Sequence, residues 1–161
     1  MRISVKALIV YDSFFGNTEQ VAQAIGKALG TPEEVQVLRV GSVQPGQLSG
    51  LGLLVVGSPT RGFQASPLTS RWMGGIPLNA LQGVKVAAFD TRIPWEKMPW
   101  FLRGMARMFG FAAPAISARL QRKGGTLAAA PEGFYVRDTK GPLADGELER
   151  AAAWAKQIAG A

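Results

Sequence analysis

Short apolar runs separated by amphipathic stretches of helical length narrow the fold of this chain more than any other feature. Residues 5–10 are apolar apart from Lys6, and residues 51–56 carry no polar side chain. Runs of this kind suit parallel strands that are covered on both faces. Residues 35–40 alternate and read as a second strand, and 84–89 as a fourth. Between the first two, Val21, Ala22, Ile25, Ala28 and Leu29 recur at helical spacing, and Gly30 is placed to end that helix. Asn17 or Thr18 is expected to cap it, with Glu19 in its first turn. A further helix is expected over 66–72, stopped by Gly74-Gly75, and another over 116–122, closed by Gly124-Gly125. Residues 126–130 and 134–137 read as strand pieces separated by Pro131-Glu132-Gly133. A last helix begins near Asp145, with Leu148, Ala151, Ala152, Ala155 and Ile158 on its buried face. Strand and helix alternate roughly five times, which predicts an α/β protein with a doubly wound, five-stranded parallel sheet.

A chain of 161 residues is expected to form a single domain, residues 1–161. Cysteine and histidine are both absent. Disulfides, thiolate chemistry, Ser-His-Asp catalysis and most zinc sites are thereby excluded. No metal site and no catalytic side chain is expected, so any chemistry rests on a cofactor, a carboxylate, a hydroxyl or a lysine. No apolar run approaches the roughly 18 residues that span a bilayer. The amino-terminal stretch reads as a strand rather than an export signal, and a cytoplasmic location is expected.

The segment YDSFFGNTEQ follows the first apolar run directly. In a parallel sheet, ligands sit at the carboxyl ends of the strands. A helix start there offers unpaired N–H groups and partial positive charge, which suit a phosphate. Gly16 lets the backbone come close, and Ser13, Asn17 and Thr18 add short hydrogen-bonding side chains. The loop has no Gly-Lys-Ser/Thr and no G-x-G-x-x-G. A capped turn without a ligand would need the same residue types, so the loop alone leaves both readings open.

Ser13, Gly16, Asn17 and Thr18 match the first loop of the flavodoxin family, and YDSFFGNTE as a whole resembles it. Phe15 stands where the family has a middle hydroxyl, which removes one phosphate hydrogen bond worth on the order of 1 kcal/mol. Two further loops carry the resemblance. GSPTRGF, residues 57–63, is similar to the family segment that lies against the flavin, which implies that Ser58, Pro59, Thr60, Arg61 and Gly62 line the ring and ribityl side. FDTRIPW, residues 89–95, occupies the place of the second flavin loop, which implies contacts from Asp90, Thr91 and Arg92. Trp95 reads equally as a ring-stacking or a packing residue. The resemblance implies strand order 2-1-3-4-5, FMN as cofactor, and a redox partner protein or quinone-like acceptor.

Net charge is +7, and seven cations against Glu96 alone lie between Arg92 and Lys123. Within that span, residues 94–113 read PWEKMPWFLRGMARMFGFAA. Arg103 and Arg107 are four apart, with aromatic and methionine residues around them. Such a helix suits an anionic membrane surface, a lid over the cofactor, a dimer contact or ordinary packing on the sheet. In character it is similar to the insert of a flavodoxin-like, quinone-using protoporphyrinogen oxidase. Nucleic acid is not expected, since charge is the only feature in its favour. The expected function is an FMN-binding redox protein that carries electrons. The alternatives are a flavin-dependent oxidoreductase at a membrane surface and a binding module that has lost its flavin.

Overall fold

The computed structural model describes residues 6–161. Val5, expected at the start of the first strand, lies outside the described residues. Strands β1 (Ala7–Tyr11), β2 (Val35–Arg39), β3 (Leu53–Pro59), β4 (Lys85–Arg92), β5 (Thr126–Leu127) and β6 (Glu132–Tyr135) form one parallel sheet. Its order is β2-β1-β3-β4-β5, as expected, with β6 also on β4. The fifth position is divided. β5 pairs with Lys85 and Val86, and β6 with Phe89 through Arg92. Pro131, which has no N–H to donate, stands in the gap.

Alternation along each strand sorts the core into two layers. Ile9, Val55, Ala87 and Phe89 face helices α1 (Asn17–Leu29) and α5 (Glu147–Ala159). Leu8, Val10, Leu54, Val56 and Val86 face α2 (Pro67–Gly74) and α4 (Ala112–Arg122). Each of these strand residues is essentially inaccessible, and complete burial of one large aliphatic side chain contributes roughly 1.5–3 kcal/mol. Under α5, Phe89, Phe134 and Trp154 meet edge to face at 6.0–6.2 Å.

Several boundaries differ from expectation. β3 starts at Leu53 and runs on through Pro59, and β4 continues to Arg92. Asp90, Thr91 and Arg92 are therefore strand residues: all three pair with β6, and Asp90 and Thr91 also pair with β3. α4 begins at Ala112 instead of residue 116, because two side chains satisfy its first amides. The N–H of Ala112 donates to Thr60 Oγ1 at 3.1 Å, and that of Ala113 to Asp90 Oδ2 at 2.8 Å. Pro114 then falls in the first turn, where its missing N–H costs nothing. Leu148 proves 39% exposed. The inward stripe of α5 is Glu147, Ala151, Trp154, Ala155 and Ile158, which keeps Ala151, Ala155 and Ile158 of the expected face and puts Glu147 and Trp154 in place of Leu148 and Ala152.

A charged cluster fastens α5 to β6. Arg150 donates to Glu147 at 3.0 and 2.6 Å, pairs with Glu132 at 3.0 Å, and also reaches the Gly133 carbonyl. The N–H of Tyr135 donates to Glu147 at 2.7 Å. Partial burial pushes the Glu147 carboxyl up, but the Arg150 fork and the Tyr135 amide outweigh it and hold the carboxyl below its ordinary value. Stability from this group is present above the unfolded pKa of about 4.3 and is lost as pH falls through the folded value. Glu147→Gln is expected to lower stability by about 1–2 kcal/mol at neutral pH and by much less at about pH 2. Urea midpoints at the two pH values check this; an equal gap at both would contradict it.

Candidate functional site

The first loop is braced before any ligand is considered. Asp12 bonds to β3 through its own N–H, and its carboxylate accepts the N–H of Ser13 at 2.9 Å. Arg39, at the end of β2, donates to the Ser13 carbonyl at 2.9 Å and lies 5.2 Å from the Tyr11 ring centre. Ser13 Oγ accepts the N–H of Gly16 at 3.0 Å, which closes the turn. Gly16 is the N-cap of α1, with φ +90°, a conformation open to glycine at little cost.

Neither Asn17 nor Thr18 caps the helix with its side chain. Both side chains are drawn elsewhere: Asn17 Nδ2 donates to the Lys140 carbonyl at 3.2 Å, and Thr18 Oγ1 bonds Thr91 Oγ1 at 2.8 Å. Among the described residues, the backbone N–H groups of Phe14, Phe15, Asn17, Thr18 and Glu19 have no acceptor. Five donors at a helix start form a cradle for an anion.

That cradle opens into a cleft of about 240 Å³. Of the expected site residues, Ser13, Phe15, Asn17, Thr18, Pro59, Thr60, Arg61, Gly62, Thr91 and Arg92 line it. Gly16 shapes the loop from behind. Ser58 does not reach the cleft: it is fully buried, donating to the Pro59 carbonyl at 2.9 Å and accepting the N–H of Ser66 at 2.9 Å. Asp90 is also fully buried and lies beneath the cleft. Trp95 stands outside the lining, with the Arg107 guanidinium 5.3 Å from its ring centre.

Residues 61–64 form a two-residue hairpin. Arg61 and Gln64 exchange backbone hydrogen bonds at 2.8 and 3.0 Å, and Gly62 and Phe63 both take positive φ. The hairpin holds Arg61 over the Phe14 ring at 4.8 Å and sets Phe63 6.2 Å from Phe109. Beyond it a more apolar pocket of about 270 Å³ adjoins the cleft, with Thr60, Gly62, Arg92 and Ile93 common to both. Phe63, Lys97, Met98, Pro99, Leu102 and Phe111 complete its walls.

Arg92 is fixed on three sides. Its guanidinium makes two 2.7 Å bonds to Asp90, lies 3.9 Å from the Phe111 ring centre, and rests on Gly133, where any Cβ would fall 2.2 Å from Nε. Burial pushes the Asp90 carboxyl up, against the pull of the Arg92 fork and the Ala113 amide. Arg61, by contrast, has no carboxylate partner among the described residues.

Phe14, Ile93, Val136 and Thr139 also line the cleft and were not expected there. Phe14 lies inside the first loop and fits no motif position. Val136 and Thr139 belong to a loop more than a hundred residues downstream, brought to the cradle by the Asn17–Lys140 bond. No local pattern signals them.

A family model described as flavodoxin matches residues 9–154. The chain belongs to the flavodoxin family. Among solved structures it is similar to oxidised flavodoxin 1 of Bacillus cereus, at 19% identity, TM-score 0.72, covering 95% of this chain and 96% of that one. A flavodoxin from the domain Archaea is similar at 24% identity, TM-score 0.72 and 97% coverage of both chains. Rubredoxin oxygen:oxidoreductase of Desulfovibrio gigas is similar at 21% identity and TM-score 0.71; the match covers 96% of this chain but 35% of that enzyme. No curated protein matches the chain in sequence. The family's cofactor is FMN, and this flavodoxin's cleft fits it: free helix-start amides suit the phosphate, and the adjoining trough between two loops suits a flat ring. Membership makes the chain an FMN-binding electron carrier.

Proposed function

We propose that one domain holds FMN in this cleft and exchanges electrons with a redox partner protein or a quinone-like acceptor that approaches from the side of the apolar pocket. The observation that carries the reading is the continuity of the two cavities: an anion cradle at one end, an apolar recess at the other, with Thr60, Gly62, Arg92 and Ile93 between them. When bound, FMN supplies one- and two-electron transfer. Ser13, Asn17, Thr18 and the free amides would hold its phosphate, on a backbone turn that Gly16 makes available. Pro59, Thr60 and Gly62 would set their backbone against the ring. Arg61, unneutralised, would favour negative charge there, whereas the charge of Arg92 is largely spent on Asp90. Thr91, tied to Thr18, would keep the phosphate and ring halves in register. Ser58 and Asp90 would act from beneath, positioning the third strand and Arg92. Trp95 would take no part in stacking.

Titrating the flavin-free protein with FMN, followed by flavin fluorescence and melting temperature, tests the cofactor; mixing the reduced, loaded protein with a water-soluble quinone tests the acceptor. Saturable binding and rapid reoxidation are expected. No response in either the spectrum or the melting curve would leave the flavin-free binding module as the better reading. The side chain of Phe15 is 45% exposed, so its replacement costs little stability. Phe15→Thr restores the hydroxyl and is expected to tighten FMN about five- to tenfold, for a bond of roughly 1–1.5 kcal/mol.

A further inference from the structure

Helix α3 (Trp100–Phe109) turns its apolar side away from the protein. At 100° per residue, Trp100, Met108, Phe101, Met105 and Phe109 fall on one half of the helix, and Leu102 and Ala106 on the other. Only Ala106 is fully buried. Trp100 is 83% exposed, Met108 78%, Phe109 61%, Phe101 54% and Met105 43%. A core helix would be arranged the opposite way round. The cations lie along one margin of this face. Arg103 donates to the carbonyls of Met98 and Glu96, and Arg107 rests on Trp95. Neither these two nor Lys97 has a carboxylate partner among the described residues. The charge of the whole stretch from Arg92 to Lys123, seven cations against one acid, is therefore not neutralised locally, except at Arg92.

We propose that the outward face of α3 seats this protein on an anionic lipid surface. Charge decides the occupant. A second copy would bring net +7 against net +7, with the same uncompensated arginines facing each other. An anionic bilayer answers both halves of the face at once: Trp100, Phe101 and Met108 enter the boundary between head groups and acyl chains, while Lys97, Arg103 and Arg107 stay at head-group level beside lipid phosphates. Among the described residues, no helix is long and apolar enough to cross a membrane, so the contact is peripheral. Seated this way, the pocket walled by Met98, Pro99 and Leu102 lies on the inner side of α3, with the helix between it and the lipid.

Co-sedimentation of the FMN-loaded protein with phosphatidylcholine vesicles, with and without phosphatidylglycerol, tests the assignment. Pelleting should be at least about tenfold stronger with the anionic vesicles, should fall steeply with salt, and should come with a blue shift in tryptophan emission that Trp100→Phe removes. Phe101→Glu/Met108→Glu should abolish pelleting while FMN affinity and melting temperature stay unchanged; Leu148→Glu, at an exposed position on the other side of the sheet, should leave pelleting intact. Three results would overturn the proposal: equal pelleting with neutral vesicles, no pelleting with either, or a dimer in sedimentation velocity that the double variant dissociates.

Discussion

Asp90→Leu is expected to lower the unfolding free energy by about 3–5 kcal/mol, the largest stability loss of any single change at this site. Asp90 is fully buried and accepts three hydrogen bonds: two from Arg92 at 2.7 Å and one from the Ala113 N–H at 2.8 Å. Leucine leaves the guanidinium pressed between Phe111 and Gly133 without a counter-ion, and leaves the first turn of α4 with an orphaned donor. The cost is that of isolating a charge, not of losing an attraction. For that reason Asp90→Leu/Arg92→Met should recover most of the loss, to within about 1–2 kcal/mol of the wild type. Urea midpoints of the two single variants and the double variant check the cycle. A double variant as unstable as Asp90→Leu would mean that the carboxylate matters for α4 and not for Arg92.

Asn17→Asp is expected to weaken FMN binding about 100-fold or more. The substitution is isosteric and places a carboxylate in the first turn of α1, where the helix dipole favours it, so the fold should survive. The same carboxylate meets a phosphate dianion in the cradle. Two unit charges about 5 Å apart at an effective dielectric near 20 repel by about 3 kcal/mol, which is a factor of about 100 in affinity. The Asn17 donor to Lys140 is lost as well, which loosens the loop carrying Val136 and Thr139. Riboflavin has no phosphate and serves as the internal control: its affinity should change less than about fivefold. Parallel titrations with both flavins read the difference. Equal losses for the two would mean that Asn17 shapes the ring pocket and that the phosphate lies elsewhere.

Much of this site was legible because its parts are local. An apolar run, a Ser-x-x-Gly-Asn-Thr loop and an amphipathic stretch specify a strand, an anion cradle and a helix within about twenty residues. The Gly-Ser-Pro-Thr loop after β3 was legible on the same terms. The capping of α1 was misjudged because a short polar side chain at a helix start is a good cap only while nothing better competes for it. Thr91 and the Lys140 carbonyl compete for Thr18 and Asn17, and both come from far along the chain. Ser58 was expected in the cleft from the resemblance of its loop to the family's flavin segment, and Asp90 as a polar group at a strand's carboxyl end; each is instead taken up by its neighbours, Pro59 and Ser66 in one case, Arg92 and Ala113 in the other. Trp95 was ambiguous in sequence, and Arg107 occupies it.

The order of apolar runs and helical stretches, with glycine at position 16, determined the parallel sheet and the edge at which a phosphate can be held. Those properties depend on side-chain periodicity and backbone freedom, which a chain carries before it folds. Which polar groups remain free at that edge, and which way the aromatic helix turns, was decided only by tertiary structure. A hydrogen bond between residues 17 and 140, or an ion pair that takes a carboxylate out of reach, depends on several crossovers closing together, and nothing in either residue's neighbourhood along the chain records it.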